Sequence, residues 1–244
     1  RWSSQYRASE LQRIEPMEQL ITWLGGNIPA DDGRVTLVHG DFRLDNVIFS
    51  GNEPRAIALI DWELSTLGHP FADLGYYCMQ LRMPQNVGNM SGLRGLDLDV
   101  LGIPDERSSV ARYCEKTGVE RIENFSFYVA FSFFRLAAIV QGVAKRAVDG
   151  NASSEQAMQL GKFVQTMAEL ALEAIQRGET SAWIVRRVES KGGMKCEGFS
   201  DKALKTVVKW IARDPFFNVP FETPEITAFE PTQIGMCQGV RASL

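Results

Sequence analysis

The chain has 244 residues, 45% of them hydrophobic and 23% charged, with a formal net charge of −4. This length and balance fit one large or two small globular domains and exclude a disordered, collagen-like or disulfide-stapled chain. The acidic balance argues against a broad nucleic-acid-binding face. The four cysteines (Cys78, Cys114, Cys196, Cys237) lack CxxC spacing, which gives no support to a zinc or redox motif. They read as free thiols of a reducing compartment, cytoplasm or mitochondrial matrix.

Taken in chain order, the opening RWSSQYRASELQR reads as the interior of a helix without the apolar stretch of a signal peptide, so residue 1 is not expected to be the natural start. Pro16 sits near the first turn of a helix carrying Leu20, Ile21 and Leu24 on one face, and Gly25-Gly26 is expected to stop it. Val35 to Val38 predicts a short strand. Val47 to Phe49 and Ala56 to Ile60 predict two more, joined as a hairpin by the turn residues Ser50 to Pro54. After about residue 70 the pattern is helical. Phe125 to Ala144 is strongly apolar, with Arg135 as its only charge. An arginine near mid-membrane costs about 2.5–3.5 kcal/mol on insertion scales, so this stretch reads as the buried central helix of a bundle rather than a membrane span. Ser153 with Gln156 forms a capping box, and Leu160, Val164, Met167, Ala171 and Ile175 then share one helical face up to Gly178.

Composition changes at that point. Residues 1–179 hold 17 basic and 23 acidic side chains, whereas residues 180–244 hold 9 and 7. Domain boundaries are therefore placed at 1–178, a mainly α (α+β) lobe with a small β patch near residues 35–60, and 179–244, an extension. Within the extension Ser200 can cap a helix running to about Ala212, with Lys202, Lys205 and Lys209 opposite its apolar face. The run PFFNVPFETPEITAFEP follows, whose prolines favour extended chain. Phe216, Phe217, Phe221 and Phe229 are expected to pin residues 213–232 against the chain's own lobe or a partner. Three lysines on one helix face are ordinarily solvated, so no nucleic-acid partner is expected.

The chemistry concentrates in VHGDFRLDNVIF and the following AIALIDWE. One strand ends at Val38-His39, a polar loop runs from Gly40 to Asn46, and the hairpin returns to Asp61. Asp41, Asn46 and Asp61 are thereby expected to converge at one end of a small sheet. Oxygen donors of this type suit Mg²⁺, and a carboxylate beside such a cation can orient a hydroxyl and accept its proton in phosphoryl transfer. Asp to Asn over five positions is also the spacing of the protein-kinase catalytic loop. Each residue alone would be an ordinary turn former; the combination is what points to chemistry.

HGDFRLDN, LIDWELSTLGHPFADLGYY and FYVAFSFFRLAAIVQGV resemble the aminoglycoside phosphotransferase family, which shares the protein-kinase fold. The nearest likeness is to the kinase-like domains fused to some acyl-CoA dehydrogenases and their stand-alone bacterial relatives. The resemblance covers residues 1–178 and implies a kinase-like C-terminal lobe. It implies Asp41 as catalytic base, Asn46 and Asp61 as Mg²⁺ ligands, His39 as organiser of the catalytic loop and Asp73 as its hydrogen-bonding anchor. Arg43 and Glu63 become candidate substrate- or phosphate-facing residues. ATP, Mg²⁺ and a small hydroxylated substrate are the ligands it implies. Such a family also carries a nucleotide lobe with a phosphate-pairing lysine. Here 38 residues precede His39 and no lysine occurs before Lys116, so that lobe is expected to lie outside this chain. Two readings follow: the C-lobe of a small-molecule phosphotransferase completed by a separate nucleotide lobe, or a catalytically silent kinase-like subunit docking in a larger assembly through residues 200–232.

Overall fold

A computed structural model of the chain describes residues 1–52, 55–85, 91–150 and 161–180. The expected cap at Ser153, the lysine-bearing helix and the Pro/Phe-rich arm at 213–232 lie outside the described residues, whereas the boundary assigned to residue 179 falls within the last described helix, Phe163–Thr180.

The described elements run α1 (Trp2–Ser9), α2 (Glu15–Gly26), β1 (Thr36–Val38), a 3-10 turn (Leu44–Asn46), β2 (Val47–Phe49), β3 (Ala56–Leu59), a second 3-10 turn (Trp62–Leu64), β4 (Thr66–Gly68), α3 (Phe71–Arg82), α4 (Leu98–Leu101), α5 (Glu106–Thr117), α6 (Phe125–Val148) and α7 (Phe163–Thr180). The fold is mainly α. Pro16 lies in the first turn of α2, where its missing N–H costs nothing. Gly25 and Gly26 form the last turn of that helix rather than lying beyond it.

Helix α6 is the centre. It packs against α1, α2, α3 and α7, and Val129, Phe133 and Ala137 on its faces are completely buried. Val164, Met167 and Ala171 of α7 are equally buried, and Ile175 nearly so, as the shared apolar face predicts. Although α6 is long and apolar enough to cross a membrane by length and composition, its faces are covered by other helices. Helix α7 runs to Thr180, past the stop expected at Gly178, which instead lies against Ser126 of α6. Gly75 of α3 has a sharper requirement: a Cβ there would come within 2.7 Å of the Tyr128 backbone, so α3 and α6 approach at backbone distance. Polar ties bind the periphery. Gln141 Nε2 donates to the Ser9 carbonyl at 2.9 Å, joining α6 to the end of α1. Arg82 Nε donates to Glu106 at 2.7 Å, joining α3 to α5.

The β patch differs from the sequence reading in extent and pairing. The hairpin β2–β3 is present, with Val47 opposite Leu59 and a bulge at Ile48/Phe49. Strand β1 does not join it. It pairs antiparallel with β4, Leu37 opposite Leu67, which carries the patch on to Gly68. A three-residue strand has no periodicity to read, and its partner is chosen by the chain's return at Ser65 rather than by local pattern. The apolar side chains of this patch, among them Val35, Leu37, Ile48, Ile57, Trp62 and Leu67, are exposed.

Candidate functional site

The loop after β1 is fixed by backbone hydrogen bonds to side chains from distant elements. Asp73 stands in the first turn of α3 and spends one carboxylate oxygen on the His39 N–H (2.7 Å) and the other on the Gly40 N–H (2.9 Å). His39 is buried. Its Nδ1 accepts from the Asp41 N–H at 3.2 Å and its Nε2 lies 2.8 Å from the Ile60 carbonyl. A carbonyl can only accept, so the ring proton sits on Nε2. The Trp62 ring lies 4.6 Å from the imidazole, centroid to centroid. Gly40 adopts φ +85°, and a Cβ there would meet the Leu64 carbonyl oxygen at 2.5 Å, so only glycine fits.

Asp41 and Asn46 meet as their spacing predicts. Asn46 Nδ2 donates to both the Asp41 carboxylate and the Asp41 carbonyl, each at 2.9 Å. Asn46 is buried at the end of the first 3-10 turn. Its carbonyl accepts from the Ile60 N–H at 2.9 Å. Ile60 thus touches both His39 and Asn46, and Asp61 is the next residue. Asp61 is exposed and in the left-handed region, φ 66° and ψ 55°, a conformation aspartate tolerates better than most residues. Tyr76 is buried near Asp41; burial first and the Asp41 carboxylate second push its phenol well above the usual tyrosine range.

The remaining candidates, Arg43 and Glu63, show no hydrogen bond to Asp41. Arg43 is engaged by Asp45, whose carboxylate is almost wholly buried and keeps one oxygen without a partner. Glu63 is exposed on the second 3-10 turn, outside the hydrogen-bonded set around Asp41. Sequence reasoning missed three participants: Asp45, Tyr76 and Arg135. Arg135 reaches from α6 to donate to the Gly40 carbonyl. A signal existed for it, the single charge in the apolar run from Phe125 to Ala144. Tyr76 lies three residues after Asp73 and so shares its helix face. Asp45 had no signal beyond an ordinary turn composition.

A helical lobe that presents an aspartate and an asparagine five residues apart on an anchored loop, above a short hairpin, is the C-terminal lobe of a kinase-like phosphotransferase fold. The comparisons with known proteins agree. Residues 1–93 match the model of the phosphotransferase enzyme family. A crystal structure from Ralstonia eutropha that bears the name aminoglycoside phosphotransferase superposes with a TM-score of 0.67 at 47% identity, over 72% of this chain and 53% of that one. Acyl-CoA dehydrogenase family member 10 of Mus musculus is 50% identical over 170 residues, 70% of this chain and 16% of its own. Acyl-CoA dehydrogenase family member 11 of Rattus norvegicus is 36% identical over 229 residues, 93% of this chain and 29% of its own. The chain therefore spans under a third of the length of these two relatives.

Proposed function

We propose that the chain is the C-lobe of an ATP- and Mg²⁺-dependent phosphotransferase that transfers the γ-phosphate to a hydroxyl of a small molecule. The observation that carries this reading is the double contact of Asn46 Nδ2 with Asp41. Both amide protons are spent there, so Asn46 Oδ1 is left as an acceptor beside a carboxylate. With Asp61 one residue beyond Ile60, the oxygen donors suit a hard cation, and Asn46 and Asp61 are the residues that would hold it. Bound Mg²⁺ neutralises phosphate charge in this chemistry. Asp41 would orient the acceptor hydroxyl and take its proton as that oxygen bonds to the γ-phosphorus and ADP leaves. His39 and Asp73 hold the loop that carries Asp41, and Arg43 and Glu63 are assigned to its rim, where phosphate or substrate arrives.

The exposed apolar residues of the β patch would give a nucleotide lobe, with its lysine, a surface to seat on. The names of the relatives point to a hydroxylated acyl group as acceptor. The test is turnover of ATP with hydroxylated acyl compounds by the chain within its native polypeptide. Asp41→Ala should lower kcat by about 10²–10⁴-fold, the span typical of general-base action. Unchanged turnover would remove Asp41 from the mechanism. Failure of the native protein to bind nucleotide at all would leave the silent, docking reading of the lobe.

A further inference from the structure

We propose that Arg135, stacked on the Tyr76 ring, is a positioning residue for Asp41, a support from two helices that fixes the Gly40–Asp41 peptide. The proposal rests on the reading of Asp41 as the base, and its test separates the two.

The Gly40 carbonyl and the Asp41 N–H belong to one peptide unit. Arg135 Nη2 holds the carbonyl end and His39 Nδ1 holds the N–H end. The peptide before it is held by Asp73 through the Gly40 N–H. A peptide gripped at both ends cannot rotate without breaking one hydrogen bond or the other, and its rotation is what would swing the Asp41 side chain away. Asp41's carboxylate is in turn gripped by Asn46 Nδ2.

Arg135 is an expensive residue to keep in the middle of a buried helix. Among the described residues it forms no ion pair, and its Nε is buried without a partner. Its guanidinium instead stacks 4.7 Å over the ring of Tyr76. The Tyr76 ring on α3 therefore backs the guanidinium that holds the backbone of the loop. The close α3–α6 approach at Gly75 places them within reach. A residue kept only for packing would serve better as leucine or methionine, which would bury the same volume without a charge.

Conservative variants separate positioning from packing. Tyr76→Leu removes the ring on which the guanidinium stacks. Arg135→Lys keeps a charge and one donor, whereas Arg135→Met keeps only the length. Two measurements are made on the native polypeptide: steady-state kinetics, and amide hydrogen exchange over residues 38–47 with α7 as internal reference. Arg135→Met should lower kcat about tenfold or more, and Tyr76→Leu by less, with KM for both substrates little changed, since the hydrogen bond that fixes the Gly40 carbonyl is lost or loosened. Arg135→Met should speed exchange of the Gly40 and Asp41 amides at least tenfold with α7 unaffected, and Arg135→Lys should recover part of that protection. Full kcat or unaltered loop exchange in Arg135→Met would overturn the proposal. If Asp41→Ala leaves turnover intact while loop exchange still responds to Arg135, the base assignment falls and the support of the loop stands.

Discussion

Along α6, Val129, Phe133 and Ala137 are wholly shielded from solvent, whereas the directly paired Leu37 and Leu67 of β1 and β4 are 59% and 74% exposed. Both regions are apolar in sequence. The helices close on one another; the strands, three or four residues long and paired only in twos, bury little among themselves and would be marginal in isolation. What keeps the patch in place is polar. Asp73 holds two backbone amides, His39 spans from the loop to Ile60, and Arg135 holds Gly40. One region is thus built by burial and the other by directed hydrogen bonds, and the reactive groups sit where the second kind of construction applies.

The contrast breaks first on side-chain truncation. Phe133→Ala should cost about 3–5 kcal/mol in chemical denaturation, the range for a large buried aromatic. Leu67→Ala should stay within about 0.5 kcal/mol, as for exposed positions. Equal costs would mean the strands are as packed as the helices. Next comes the polar tether: Asp73→Ala removes the acceptor of two amides and should cost about 1.5–3 kcal/mol, measured by the same unfolding curves. A negligible loss would show that the loop holds itself.

Two smaller effects sharpen the comparison. Asp61→Gly should stabilise the fold by up to about 1 kcal/mol, because glycine adopts its positive φ without strain. The same change should abolish Mn²⁺ binding followed by electron paramagnetic resonance. Retained Mn²⁺ binding would exclude Asp61 as a ligand. Asp105 caps α5, accepting from the Ser108 N–H at 2.7 Å. Hydrogen bonding from Ser108, side chain first and then backbone, holds its carboxyl below the usual range. A lowered folded-state value means the stabilisation is complete above the ordinary carboxylate range, near pH 4, and fades as pH falls through the lower value. Asp105→Ala should cost about 1 kcal/mol at neutral pH. Asp105→Asn should keep most of the cap and lose this acid dependence, as thermal melts across pH 2–6 would register.

What could be read ahead of the coordinates follows the range of the interactions. The bounds of α6 were legible because an apolar run of that length has one compact solution. The Asp41–Asn46 contact was legible because five residues of chain determine it. The β1–β4 ladder was not, since Thr36 meets Gly68 across the whole hairpin and neither three-residue strand alternates enough to announce a partner. The Arg135–Gly40 contact spans 95 positions and depends on where α6 crosses beneath the loop, which no local pattern encodes. Asp45 was invisible for another reason: its burial arises from packing around the first 3-10 turn, while its residue type is common in loops.

The central arginine of α6 also matters before the fold exists. Synthesis runs from the N-terminus, so α6 is complete while α7, which packs on it, is still unmade. For that interval a 24-residue helix, uncharged but for Arg135 until Lys145 and Arg146 in its last turn, is without that cover. The guanidinium that later grips Gly40 costs about 2.5–3.5 kcal/mol at mid-bilayer, which disfavours insertion of a nascent helix by roughly two orders of magnitude. Replacing it by an apolar residue would remove that cost together with the hydrogen bond to the loop.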